Sequence, residues 1–93
     1  MDKKLFMNHV STLFFRTSSK EIKPGTRFKQ LREWNILLAV SFVEMVKEEY
    51  QVELNKKDFL YNDTIEDLYR CVCNRQKKIA ENFIRNKMIF FRF

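Results

Sequence analysis

The chain has 93 residues, 45% hydrophobic and 32% charged, a balance that excludes a disordered polymer and suits one small core. One Gly and one Pro leave little material for hairpin turns, so the expected fold class is all-α. The net charge of +6 is unevenly spread: residues 1–32 carry eight basic and two acidic side chains, residues 33–67 three and nine, and residues 68–93 seven and one.

Leu5, Phe6, Val10, Leu13 and Phe14 recur at three-to-four spacing and predict a first helix over about residues 2–16. Asn8, His9, Ser11 and Thr12 interrupt the apolar residues that follow Lys3 and Lys4, so no signal-peptide core is expected. Residues 17–26 break the period and hold Ser18, Ser19 and the Pro24-Gly25 pair, which marks a connecting loop. In residues 34–46, ten of thirteen side chains are apolar, too many for a helix with one buried and one wet face. The expected core stripe is Leu37, Val40, Val43, Val46 and Tyr50, with Ile36, Leu38 and Met45 nearer the rim. Asn55 is placed to cap a short third helix ending near Tyr61, with Phe59 and Leu60 turned inward. Thr64-x-x-Asp67 has the form of a capping box and starts a last helix with Ile65, Leu68, Tyr69 and Val72 on its inner face.

That pattern continues through Ile79, Phe83, Ile84 and Met88 to Ile89-Phe-Phe-Arg-Phe93. The extension has a basic and an apolar side, which predicts extra core or a homodimer through residues 79–93; a membrane-surface helix is the alternative. No apolar run approaches the ~20 residues of a membrane span. Cys71 and Cys73, two residues apart, fall on different faces of a helix and read as free thiols in a reducing cytoplasm.

The run from Phe28 to Tyr50, including Trp34, Leu37 and Glu48-Glu49-Tyr50, then Gln51-Val-Glu-Leu54 and Asn62-Asp-Thr-Ile-Glu-Asp-Leu68, resembles the central part of an acyl carrier protein. The likeness covers about residues 5–72 and is carried by the order and spacing of these segments. It implies an acyl-carrier-like four-helix bundle, a single domain over residues 1–93, with a long first loop, a short third helix and an extended C-terminal helix. In that family the second helix opens with Asp-Ser-Leu, and the serine carries a 4'-phosphopantetheine arm. Here the same place reads Trp34-Asn35-Ile36-Leu37, and Ile36 has no oxygen to phosphorylate. The expected reading is therefore a non-enzymatic, cytoplasmic carrier-like protein without its cofactor, associated with fatty-acid, polyketide or acyl-lipid biosynthesis. Its recognition helix comprises Trp34, Asn35, Ile36, Leu37, Leu38, Glu44, Glu48 and Glu49. The partners implied are acyl-transferring, condensing or phosphopantetheinyl-transferring enzymes, or another carrier, held non-covalently through the acidic centre.

Substitute chemistry is sparse. Ser41 lies about one and a half turns past the attachment point on a different face, and Ser11 reads as a solvated residue of the first helix. His9 is the only histidine and has no Cys or Asp arranged beside it as a nucleophile or metal partner. Glu48, Glu49 and Glu53 read as a solvated, partner-facing edge rather than a metal or acid–base site. Lys20, Lys23, Arg27, Lys29 and Arg32, with Arg75, Lys77, Lys78, Arg85 and Lys87, offer the alternative of a nucleic-acid-binding module if they converge on one face.

Overall fold

Asp2, in extended conformation, accepts the Lys4 N–H at 2.9 Å and so caps the first helix of the chain. The computed structural model describes the backbone of residues 2–90 and the side chains of residues 2–82. Its helices are α1 (Lys3–Leu13), α2 (Ile36–Tyr50), α3 (Lys56–Tyr61) and α4 (Ile65–Phe90). No strand occurs among the described residues, and a lone antiparallel bridge joins Arg27 to Thr64. The expectation of a small all-helical bundle, with a short third helix and a long last one, holds.

Phe6 and Val10 bury one face of α1, and Phe14 is buried just past its end. Leu5, expected inside, is exposed. It lies about 100° round the helix from Phe6, whose ring takes the inward position. The helix stops at Leu13 instead of continuing to residue 16. The reason is a long-range contact: Glu33 accepts the Arg16 N–H at 2.8 Å and the Thr17 hydroxyl at 2.7 Å, holding both residues on a non-helical path.

Two 3-10 turns, Ser19–Glu21 and Phe28–Gln30, shape the connection to α2, and Ile22 and Phe28 anchor it in the core. The same loop closes the start of α4. The Ile65 N–H donates to the Thr26 carbonyl at 3.1 Å and the Glu66 N–H to the Pro24 carbonyl at 2.9 Å. The expected capping box supplies the rest: the Asp67 N–H donates to the Thr64 hydroxyl at 3.1 Å, and the Thr64 N–H to the Asp67 carboxylate at 3.0 Å. Backbone donors that a helix start leaves orphaned are thus met by loop carbonyls and one side chain.

α3 starts on a second capping box, with the Asn55 N–H donating to Asp58 at 2.8 Å and the Asp58 N–H to Asn55 at 3.2 Å. Asp58 is buried, and the Arg75 guanidinium of α4 grips both its oxygens, one at 2.7 Å. Arg75 also donates to the Glu53 carbonyl at 2.8 Å, so one side chain holds α4 to α3 and to the segment before it. Phe59 points inward as expected, but Leu60 is 61% exposed. With Phe59 directed at the core, the next position of so short a helix faces out.

The core is aromatic. Phe6 of α1 meets Phe42 and Tyr50 of α2 at ring centroid distances of 6.2 and 5.7 Å, and Tyr69 of α4 at 5.4 Å. Ile65, Leu68 and Val72 of α4 are fully buried, as their spacing predicts. The Tyr50 hydroxyl is buried with no hydrogen-bond partner among the described residues, and burial pushes its pKa up. From Lys77 through Asn82 the side chains of α4 are exposed, Ile79 at 52%, so this part of the extension does not pack on its own bundle. The apolar positions from Phe83 to Phe93 lie outside the described side chains.

The hydrogen bonds from Arg75 above all hold the Asp58 carboxyl below its ordinary value of 3.8. Because the folded pKa is depressed, the stabilisation is present above the unfolded pKa of about 3.9 and is lost as pH falls through the folded value. Asp58→Asn should cost about 2–3 kcal/mol at pH 7, below the fully buried range because the guanidinium is partly exposed. The cost should shrink below about pH 4. Urea denaturation at both pH values measures this, and an equal loss at each would show that the ion pair does not hold α3. Thr64→Ala should cost roughly 0.5–2 kcal/mol in the same assay, and an unchanged midpoint would mean that the cap does not support α4.

Candidate functional site

α2 opens on Asn35, whose side chain accepts the Leu38 N–H at 2.9 Å, so the backbone turns into the helix at Ile36. Immediately before it, Trp34 is packed between Phe28 at 4.9 Å and Phe59 at 5.4 Å, with Phe14 stacked at 6.4 Å. The tryptophan fixes where the helix begins. Ile36 and Leu37 then stand 79% and 74% exposed, and Val40, one turn on, is 53% exposed.

This corrects the expected core stripe. Leu37 and Val40 face solvent, while Phe42, which the sequence pattern did not single out, is fully buried with Val46 and Tyr50. Leu38, Val43 and Met45 pack partly against the core. Within a run that is apolar nearly all round, spacing alone cannot choose the inward direction. The choice falls to Phe42, whose ring sits between Phe6 at 6.2 Å and Phe59 at 5.7 Å and buries more apolar surface than Leu37 or Val40 could.

The second half of the exposed stripe is acidic. Glu44 and Glu48 follow Leu37 at seven and eleven positions, which returns each to nearly the same side of the helix. Both are exposed, and neither forms an ion pair among the described residues. Glu49 differs: its carboxylate lies 3.8 Å from His9 Nε2, an ion pair only when the imidazole is protonated. His9 is half-buried, edge-on to Tyr50 at 5.9 Å. Glu53 pairs with Lys47 at 3.6 Å. Of the recognition residues expected here, Asn35, Ile36, Leu37, Glu44, Glu48 and Glu49 are exposed, joined on the outer side by Val40, while Trp34 and Leu38 pack partly against the core.

Beside the apolar end, a cleft of about 960 Å³ opens between the end of α1, the first loop and the start of α2. Leu13, Leu31 and Leu38 line it, with Phe15 and Leu37 among its outer residues and Ser41 on its wall. Glu33 borders it too. Partial burial works against its charge, but hydrogen bonds from Thr17 and Arg16 outweigh that and hold its pKa below 4.5. The cleft was not legible from the sequence, because it forms between segments far apart in the chain.

Three of the basic side chains considered for phosphate binding have partners within the fold. Arg75 is committed to Asp58, Arg27 pairs with Asp63 at 3.0 Å, and the Lys29 amine donates to the Leu60 carbonyl at 3.4 Å. Cys71 and Cys73 are free thiols, and burial pushes the Cys71 thiol pKa up. Among the described residues no group of three or more His, Cys, Asp and Glu side chains is placed to hold a metal ion. No described helix is long and apolar enough to cross a membrane. Comparison with protein-family models, with curated proteins and with solved structures gave no match.

The rotated stripe makes a quantitative prediction. Phe42→Ala should cost about 3–5 kcal/mol, whereas Leu37→Ala should change stability by less than about 0.5 kcal/mol. Chemical denaturation followed by far-UV circular dichroism gives both values. Comparable losses would restore Leu37 to the core.

Proposed function

We propose that this chain is an acyl-carrier-like module that acts by non-covalent protein binding, with the exposed face of α2 as its docking surface. One observation carries the proposal. The first two residues of α2, where the carrier family presents its attachment serine and the following leucine, are the exposed hydrophobes Ile36 and Leu37. Apolar side chains left in water contribute little to their own fold, and a partner that buries Ile36 fully gains about 1.5–3 kcal/mol. The long first loop, the acidic second half of α2, the short α3 and the capped α4 support the carrier-like reading of the fold.

A 4'-phosphopantetheine arm does not fit this site, because attachment needs a hydroxyl and position 36 offers a branched hydrocarbon. Ser41 does not replace it, since it sits more than a turn along α2 on the wall of the cleft. The partner class follows from the surface. It presents an apolar recess to Ile36 and Leu37 and basic side chains to Glu44 and Glu48, the chemistry by which acyl-transferring and condensing enzymes receive carriers. Charge then sets the encounter rate, and the apolar contact sets the residence time.

Incubation with a permissive phosphopantetheinyl transferase and coenzyme A should leave the intact mass of the chain unchanged. Ile36→Ser combined with Asn35→Asp, which keeps a capping side chain at the helix start, should accept the arm. An arm on the unsubstituted chain would overturn the non-covalent reading. Refusal by the double variant would remove the carrier-recognition surface from the proposal.

A further inference from the structure

The end of α4 and the outer face of α2 carry opposite charges: Lys77 and Lys78 on one, Glu44 and Glu48 on the other, all exposed. From Lys77 onward the described side chains of α4 are exposed, yet the helix continues to Phe90. The chain measures 57 Å along its long axis against 24 and 19 Å across. The helix from residue 77 to residue 90 is about 21 Å long at 1.5 Å per residue, with the side chains exposed over residues 77–82, and the exposed stripe of α2 from Ile36 to Glu48 is about 19 Å. The two helical surfaces match in length.

Their chemistry also matches, in one orientation. Along α2 the stripe runs from apolar, at Ile36, Leu37 and Val40, to acidic, at Glu44 and Glu48. Along the extension the sequence runs from basic, at Lys77 and Lys78, to mainly apolar, with Phe83, Ile84, Met88, Ile89 and Phe90. An antiparallel pairing sets the lysines against the glutamates and the apolar ends against each other. Lys77 and Lys78 form no ion pair among the described residues, and neither do Glu44 and Glu48, so the pairing displaces no existing bridge.

The chain's own tail does not reach the face. α4 is a single continuous helix whose first half packs in the bundle, so reaching its own α2 would require breaking it. We infer that two copies exchange their α4 extensions in a reciprocal, two-fold dimer, each extension lying antiparallel on the outer face of the other copy's α2. Repeating one contact twice closes the assembly and avoids an open chain of copies. The inference rests on exposure, length and charge order and not on the carrier-like reading. It adds that a second copy and an enzyme compete for the same face.

The test is a charge-reversal exchange on the full chain, read by sedimentation equilibrium over a range of protein and salt concentrations. The unsubstituted chain should show a monomer–dimer equilibrium. Glu44→Lys with Glu48→Lys, and separately Lys77→Glu with Lys78→Glu, should each weaken self-association by roughly tenfold or more, because both contacts of each homodimer then oppose like charges. An equimolar mixture of the two variants should recover the dimer, since both contacts in the mixed pair are again opposite in sign. All four positions are exposed, and unchanged circular dichroism confirms that each variant is folded. A chain that stays monomeric throughout, or variants that dimerise as well alone as mixed, overturns the inference. Monomers that bind anionic phosphatidylserine vesicles through the extension would overturn it in favour of a membrane surface. Because arm attachment at position 36 is measured separately, failure here leaves the carrier-like proposal to its own experiment.

Discussion

The rotation of α2 is set by one ring. Phe42 lies between Phe6 of α1 and Phe59 of α3, and with the ring held there the helix has no freedom to turn. Everything on its outer face follows. Ile36, Leu37 and Val40 are left in water, and Glu44 and Glu48 fall on the same side further along. Interdigitated aromatic rings resist small rotations because each loses close contacts on two sides at once. The surface that we read as functional is thus specified from the inside.

The remaining elements are secured to that centre by polar contacts of high local economy. Asp58 accepts the Asn55 N–H and both donors of Arg75, so the start of α3 and the middle of α4 share one carboxylate. Glu33 gathers the end of α1, and the carbonyls of Pro24 and Thr26 gather the start of α4. A second ion pair, between Lys3 and Glu66, links α1 to α4 at the surface. In a chain with a core this small, such ties decide how long connections lie, because residues 14–35 carry little regular structure of their own.

The charge pattern acquires meaning only when it is placed on this frame. From the acidic middle of the chain Glu44 and Glu48 reach the exposed α2 stripe, while Asp58 and Asp67 serve the fold, and part of the basic character of the flanks is spent internally, as with Arg27 and Arg75. Beyond the bundle, α4 keeps Lys77 and Lys78 exposed.

The sequence by itself determined the helix count, the short α3, the capping box at Thr64 and Asp67, the inward face of α4 to Val72 and the absence of a hydroxyl at position 36. These are local properties, readable from periodicity, from cap residues and from side-chain chemistry. It did not determine the phase of α2, the exposure of Leu5 and Leu60 or the early end of α1. In residues 34–46, which lead into and through most of α2, ten of thirteen are apolar, so the pattern permits several inward directions with nearly equal burial, and only the rings of Phe6 and Phe59, from other helices, select one. The end of α1 likewise waits on Glu33, more than a dozen residues away, whose carboxylate takes the Arg16 N–H that helix continuation would have used and is held there by the Thr17 hydroxyl as well.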